Sequence, residues 1–279
     1  MNCHATPICG DGNTDPTLSL AEHASSVRNM ILDSLTRTRS SHIGSAYSVV
    51  DVLVSLYFDV THSVASPNPN RDIILLSKGH AVVAQYAVLV ELGMIPRADF
   101  SYAQDGTPFT EHPTWGELPG IEATSGSLGH GLGVGCGLAL GKKLQSLGGQ
   151  VFVIAGDGEC NEGSMWEALL FAEHHELSNL TLIIDHNGLQ GLGRVESESG
   201  LTDLQAKLEA FHWHTRVVNG HSFSELHDAL TTHGAGPIAV IANTVKGKGV
   251  SFMENRFEWH YKSPSEVEFN IAKRELSGL

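Results

Sequence analysis

Two short aliphatic runs, each stopping abruptly at turn residues, dominate the hydrophobic pattern of this chain. Val151-Phe152-Val153-Ile154-Ala155 ends at Gly156-Asp157-Gly158-Glu159, and Leu180-Thr181-Leu182-Ile183-Ile184 ends at Asp185-His186-Asn187-Gly188. Runs of this length and bounding predict strands buried on both faces of a parallel sheet. Between them Met165 pairs with Leu169, and Trp166 with Leu170, at i,i+4. That spacing predicts a helix over Gly163 to Glu176 and closes a βαβ unit.

The same period-counting extends along the chain. Leu20, Val27, Ile31 and Leu35 predict a helix within Thr17 to Arg39, and Val49, Val52, Leu53 and Leu56 a second over Ser48 to Phe58. Arg71 to Leu76 reads as a strand, followed by a helix from Ser77 to Gly93. Ser224 to Thr232 reads as a helix, Pro237 to Val245 as a buried strand and Ser265 to Leu276 as a helix. Glycines 129, 133, 137 and 141 form one helical row and 131 and 135 a second, predicting faces flat enough for close backbone packing. Ile95 to Pro119 shows little periodicity, and a loop that long is usually functional; after Val195 the chain is polar to about Ser224. The sum is one α/β domain over residues 17–279, a parallel sheet with helices on both faces, behind a loose tail at residues 1–16.

Composition narrows the partners. Seventeen Lys plus Arg against thirty-one Asp plus Glu give a formal net charge of −14. That field argues against nucleic acid or an anionic membrane as partner. Apolar stretches are interrupted by Asp51, Asp59, Gln85 or Glu91, against a membrane span. Four cysteines without a Cys-x-x-Cys pair, and no secretory leader pattern, predict a reduced, cytoplasmic protein. Cys160 reads as a small filler rather than a nucleophile. His212, His214 and His221 read as solvated, the first two sharing a strand face without a third metal ligand.

The candidate chemistry sits where the two central strands end, since ligands of such sheets bind outside the strands' carboxyl ends. A carboxylate from Asp157, an amide oxygen from Asn187 and free carbonyls suit a hard cation such as Mg²⁺ or Ca²⁺, with phosphate completing its shell. Gly156 and Gly158 let the backbone approach that phosphate, and the following helix start favours its charge.

Gly156-Asp157-Gly158, then twenty-eight residues, then Asn187 resembles the thiamine-diphosphate signature of the transketolase superfamily. The longer string Gly156-Asp-Gly-Glu-Cys-Asn-Glu-Gly-Ser-Met-Trp-Glu-Ala is similar to transketolases in particular. So are Ser77-Lys78-Gly79-His80-Ala81, Glu111-His112-Pro113, the glycine-rich segment from Leu118, and Lys246-Gly-Lys-Gly through His260. His42-Ile43-Gly44 resembles the family's Gly-His-x-Gly, with Ser41 in place of the first glycine. The resemblance implies a Rossmann-like thiamine-diphosphate-binding domain. It implies metal ligation by Asp157, Asn187 and the carbonyl of Leu189, with Mg²⁺ as the ion and Ca²⁺ or Mn²⁺ as substitutes. Cofactor contacts fall to His80, Gly126, Ser127, Leu128, Gly156, Gly158, Glu159, Glu162, Asn187 and His260, with Glu162 also at a subunit interface. Catalytic contacts to the sugar fall to His42, His112 and His260.

The implied reaction moves a two-carbon ketol unit from a ketose to an aldehyde. The likeness covers only the diphosphate-binding half of a transketolase. We therefore expect the chain to be the amino-terminal subunit of a two-component enzyme, completed by a carboxyl-terminal subunit carrying the pyrimidine-binding domain and assembled as a heterotetramer. Three alternatives remain at this point: the corresponding subunit of a 2-oxo-acid dehydrogenase, a non-catalytic subunit that kept the fold, and a generic nucleotide-binding α/β domain, which the missing P-loop and dinucleotide fingerprints disfavour.

Overall fold

The structure, a computed structural model, describes residues 18–61, 64 and 66–278. The predicted tail at residues 1–16 lies outside the described residues, as do Cys3 and Cys9. Helices α1 (Leu20–Thr38), α2 (Ile43–Ser55) and α3 (Val82–Glu91) flank strand β1 (Ile73–Leu76) in sequence. Helix α4 (Gly131–Leu144), strand β2 (Val151–Gly156), helix α5 (Gly163–His174) and strand β3 (Leu180–His186) follow. The chain continues through α6 (Val195–Ser199), α7 (Leu204–Ala210), strand β4 (His214–Asn219), α8 (Phe223–Leu230), strand β5 (Ile238–Asn243) and α9 (Glu266–Leu276).

Among the described residues five strands pair, all parallel, in the order β1-β2-β3-β5-β4. The register pairs Gly156 with Asp185, so the loops after β2 and β3 leave the sheet side by side. Residues of α1, α2, α3 and α8 cover one face of the sheet. Residues of α4, α5 and α7 cover the other. The predicted α/β architecture with helices on both faces is what forms. Strands β1, β2, β3 and β5 are buried almost throughout, as continuous apolar runs require. Each fully buried Val, Leu or Ile among them contributes about 1.5–3 kcal/mol.

Several expectations shift. Helix α2 begins at Ile43, not Ser48, because His42 takes a left-handed conformation (φ 74°) and turns the chain straight into the helix. Its continuation widens into a π turn over Leu56–Val60. The stretch Ile43–Val60 has the length and hydropathy of a membrane span, yet 83% of it lies inside the protein, as a core helix does. The helix after β1 opens as a 3₁₀ turn (Gly79–Ala81) before α3. The segment read as polar holds α6, α7 and β4; β4 is an edge strand with a single buried residue, so it carries no apolar run. His212 precedes that strand in a left-handed turn (φ 60°) and does not share a face with His214. Leu170 is 58% exposed, so of the two i,i+4 pairs in α5 only Met165 with Leu169 is buried at both ends, while Trp166 packs half-buried against the core.

The glycine rows of α4 also separate. A Cβ on Gly131 would meet Ser77 and one on Gly135 would meet Val153 Cγ2 at 2.3 Å, whereas Gly133, Gly137 and Gly141 have nothing within 4 Å. The shorter row packs on the sheet, and most of the longer one faces outward.

Candidate active site

The carboxyl ends of β1, β2 and β3, the start of α2 and the segment after β5 enclose a cleft of about 340 Å³. Its lining brings together His42, His80, His112, Gly126, Leu128, Gly156, Asp157, Gly158, Glu159, Asn187, Leu189 and His260 from the residues expected by sequence. Ser127 and Glu162 are expected cofactor contacts that do not line it. Both are exposed; Glu162 sits at the amino end of α5, where its side chain packs against Gly129.

One wall is acidic and built from the strand ends. Asp157 is 3% exposed, and its two oxygens accept the Gly158 and Gly188 amides at 2.7 and 2.6 Å. Among the described residues it has no basic side chain within ion-pair distance. Burial, and then the charge of Asp185, push its carboxyl above the usual range. Asn187 donates from Nδ2 to Ser48 Oγ at 3.4 Å, while its Oδ1 accepts the Leu189 amide at 3.0 Å. The Leu189 carbonyl accepts from the Lys246 ammonium at 3.5 Å, so this oxygen also faces the cleft. One carboxylate, one amide oxygen and one carbonyl form a donor set of hard oxygens. Together with a buried, uncompensated carboxylate, it fits a divalent cation such as Mg²⁺.

Glu159 lines the cleft but spends its carboxylate on the protein itself. The group accepts from Ser77 Oγ and from the amides of Gly129 (2.8 Å) and Gly156 (3.2 Å), tying three loops together beneath the cleft. Burial raises its pKa against those donors. Gly126 is also fixed by geometry. Its φ of +127° is open to glycine, and a Cβ there would stand 2.5 Å from His112 Cδ2. His112 lies exposed over that backbone at the cleft mouth.

The opposite wall is made of imidazoles and lysines. The rings of His42, His80 and His260 form a triangle with centroids 5.1–5.4 Å apart. The His42 amide donates to the His260 carbonyl at 3.0 Å, joining the start of α2 to the carboxyl-terminal segment. Burial, then the charges of His112 and Lys246, lower His42 to about 4. Burial and Lys246 lower His260 to about 3, and burial with Lys78 holds His80 well below its ordinary value. All three are therefore neutral at physiological pH.

The two lysines, Lys78 and Lys246, belong to the sequence motifs, but sequence reasoning assigns them no role. Lys78 is 2% exposed; its ammonium pairs with fully buried Asp185 and donates to the Ser45 carbonyl. Ser48 and Thr244 complete the donors to Asp185, which is held below the usual range despite its burial. Lys246, 1% exposed, reaches Ser45 Oγ and His260 Nδ1, each at 3.1 Å. Burial and the neighbouring Lys78 lower it to about 8, so it stays a cation at pH 7. An ammonium donating to Nδ1 leaves His260 with its proton on Nε2, a donor. The usable signal is Lys246-Gly-Lys-Gly directly after a buried strand: a cation at a strand's carboxyl end. Cys160 is buried against the Gly156 carbonyl with its thiol pushed up, a filler as expected.

Comparison with known proteins agrees with this geometry. Residues 20–277 match the family described as transketolase, thiamine diphosphate binding domain. The chain is 37% identical over 254 residues to an apulose-4-phosphate transketolase subunit of Actinobacillus succinogenes, covering 89% of this chain and 92% of that one. It is 32% identical to the 6-deoxy-6-sulfo-D-fructose transketolase subunit SqwG of Clostridium sp., covering 94% and 98%. Against human transketolase the identity is 34%, over 88% of this chain but 40% of that one. The solved transketolase of Leishmania mexicana superposes with a TM-score of 0.86 at 26% identity, covering 93% of this chain and 41% of that chain. The chain belongs to the transketolase family, as its thiamine-diphosphate-binding domain.

Proposed function

We propose that this chain is the diphosphate-binding subunit of a two-subunit transketolase, moving a two-carbon ketol unit from a ketose donor to an aldehyde acceptor. The observation that carries the reading is the meeting, in one cleft, of an uncompensated acidic oxygen set and a neutral imidazole triangle backed by two buried lysines. Asp157, Asn187 and the Leu189 carbonyl would hold Mg²⁺, with Ca²⁺ or Mn²⁺ as substitutes. His80, His260, Lys246 and the glycine backbone at 156 and 158 would hold the diphosphate.

When bound, thiamine diphosphate supplies the electron sink for breaking and forming the carbon–carbon bond. The chain's own residues do the rest. Neutral His42 and His260 hydrogen-bond donor or acceptor hydroxyls, His260 through its Nε2–H because Lys246 occupies Nδ1. His112, over Gly126, meets the sugar at the mouth. Substrate is a ketose bearing an anionic group; the relatives named for apulose 4-phosphate and for a sulfo-fructose support that class.

A second, separate polypeptide carries the pyrimidine-binding half. Two relatives named as subunits of apulose-4-phosphate transketolases, 92% and 91% of whose lengths this chain covers, support the split. Self-association into a heterotetramer would use the outer face of α4 and α5. There the open strip of Gly133, Gly137 and Gly141 lies beside exposed Val134, Leu170 and Phe171. We place the assembly in the cytoplasm.

Titration calorimetry with thiamine diphosphate and Mg²⁺, on the chain alone and with its partner, tests the reading. Binding that is tight with the partner and lost without Mg²⁺ supports it. Absence of binding in both preparations overturns it in favour of a non-catalytic role.

A further inference from the structure

His221 lies outside the cleft, in the turn between β4 and α8, and sequence alone makes it a solvated loop histidine. The structure buries its side chain to 11% exposure between two partners. Nδ1 faces Asp51 Oδ2 at 2.6 Å, and the backbone amide of Val245 donates to Nε2 at 2.8 Å. A nitrogen that accepts an amide hydrogen carries no proton, so the ring is the neutral Nδ1–H form and donates to Asp51. Asp51 cannot drift, because Arg28 grips both of its oxygens at 3.0 and 2.7 Å. The ring is thus pinned at both edges, from α1 and α2 on one side and from the segment after β5 on the other.

That segment matters because its next residue is Lys246. The turn carrying His221 is also tied to the end of β5, where the Gly220 amide donates to the Asn243 carbonyl at 2.8 Å. A Cβ on Gly220 would press within 2.5 Å of Thr244 Cγ2, so the two segments touch closely. We propose that His221 is a positioning residue that fixes the Thr244–Lys246 backbone and so aims the Lys246 ammonium into the cleft. There it meets Ser45, Leu189 and His260. The effect on cofactor binding rests on the functional reading above; the backbone clamp does not.

Three full-length variants decide it: His221→Phe, which keeps the ring's shape without its polar edges, His221→Gln, whose amide oxygen can accept from Val245, and Lys246→Met. Hydrogen exchange at the Val245 amide needs no cofactor. It should be about tenfold faster in His221→Phe, the loss of one net hydrogen bond, and restored towards wild type in His221→Gln. Equal exchange in wild type and His221→Phe overturns the clamp. For thiamine diphosphate with Mg²⁺, His221→Phe should weaken binding about tenfold, as removing a supporting partner does at comparable sites. In the Lys246→Met background the same substitution should add little, since both act through one group. Additive losses would mean that His221 acts elsewhere. A wild-type chain that binds no thiamine diphosphate would defeat the functional reading instead, and the exchange result would still decide the clamp.

Discussion

The two walls of the cleft are built in opposite ways. The acidic wall comes from consecutive strand ends, Asp157 after β2 and Asn187 after β3, set side by side by one parallel register. The imidazole wall comes from segments far apart in the chain: His42 before α2, His80 before α3, and Lys246 and His260 after β5. The first leaves a buried carboxylate without a cation. The second keeps its histidines uncharged by burying them beside lysines. A cation site needs charge that the protein does not neutralise itself, whereas proton-transfer groups need lone pairs available at pH 7. Burial disfavours the charged form of either group: it leaves the imidazoles neutral, and it makes a bound cation the favourable partner for the Asp157 carboxylate.

The largest effect should come from the lysine that ties the walls together. Lys78→Met leaves Asp185 buried with its hydroxyl donors but without its cation, and should destabilise the fold by about 3–5 kcal/mol in chemical denaturation. A change under about 1 kcal/mol would mean that Asp185 is protonated in the folded chain. Next, Asp157→Ala removes the carboxylate of the acidic wall. Mg²⁺-dependent thiamine diphosphate affinity should fall by at least about 100-fold, beyond the range for supporting partners, with the thermal midpoint nearly unchanged.

Gly126→Ala attacks the mouth, where the walls meet. A left-handed or glycine-only conformation costs about 1–3 kcal/mol in other residues, and the new methyl would displace His112, so both unfolding free energy and cofactor affinity should drop. The imidazole wall makes a graded prediction in pH. His42 and His260 have folded values of about 4 and 3 against an ordinary 6.5. Below pH 6.5 the unfolded chain therefore binds protons that the folded one refuses, and stability falls as pH falls towards those folded values. Thermal midpoints measured from neutral pH into that acid range should drop less steeply in the His42→Gln, His260→Gln double variant than in wild type. Identical slopes would show that these rings are not held neutral. The smallest effect lies outside the cleft. Gly137→Ala should stabilise an isolated chain by up to about 1 kcal/mol through helix propensity. It should also weaken any self-association through α4, read by static light scattering across a concentration series.

Much of this was legible in the residues. The pair Asp157 and Asn187 could be placed because strand ends on neighbouring parallel strands bring them together whatever the rest of the chain does. The motif histidines 42, 80, 112 and 260 could be named from the resemblance, and all four reach the cleft. Strand β4 could not be read. It has two adjacent valines and polar neighbours, and it is a strand because β5 offers it a free edge to pair with. Glu159 and Glu162 stand three residues apart in one motif; only folding turns the first beneath the cleft and leaves the second on the surface. The reading of His221 as solvated failed because its partners, Asp51 and Val245, are distant in sequence and carry no pattern that links them to it.

Local period and local spacing were enough for the βαβ unit, the buried parallel strands, and an oxygen-rich strand end suited to a cation and phosphate. Each depends on residues a few positions apart, so the order of the chain fixes them. Protonation and pairing were settled by packing instead. Whether an imidazole is neutral, a lysine stays charged or a carboxylate lacks a partner depends on burial and on groups brought from elsewhere in the chain. Those energies belong to the three-dimensional arrangement, and no stretch of residues carries them alone.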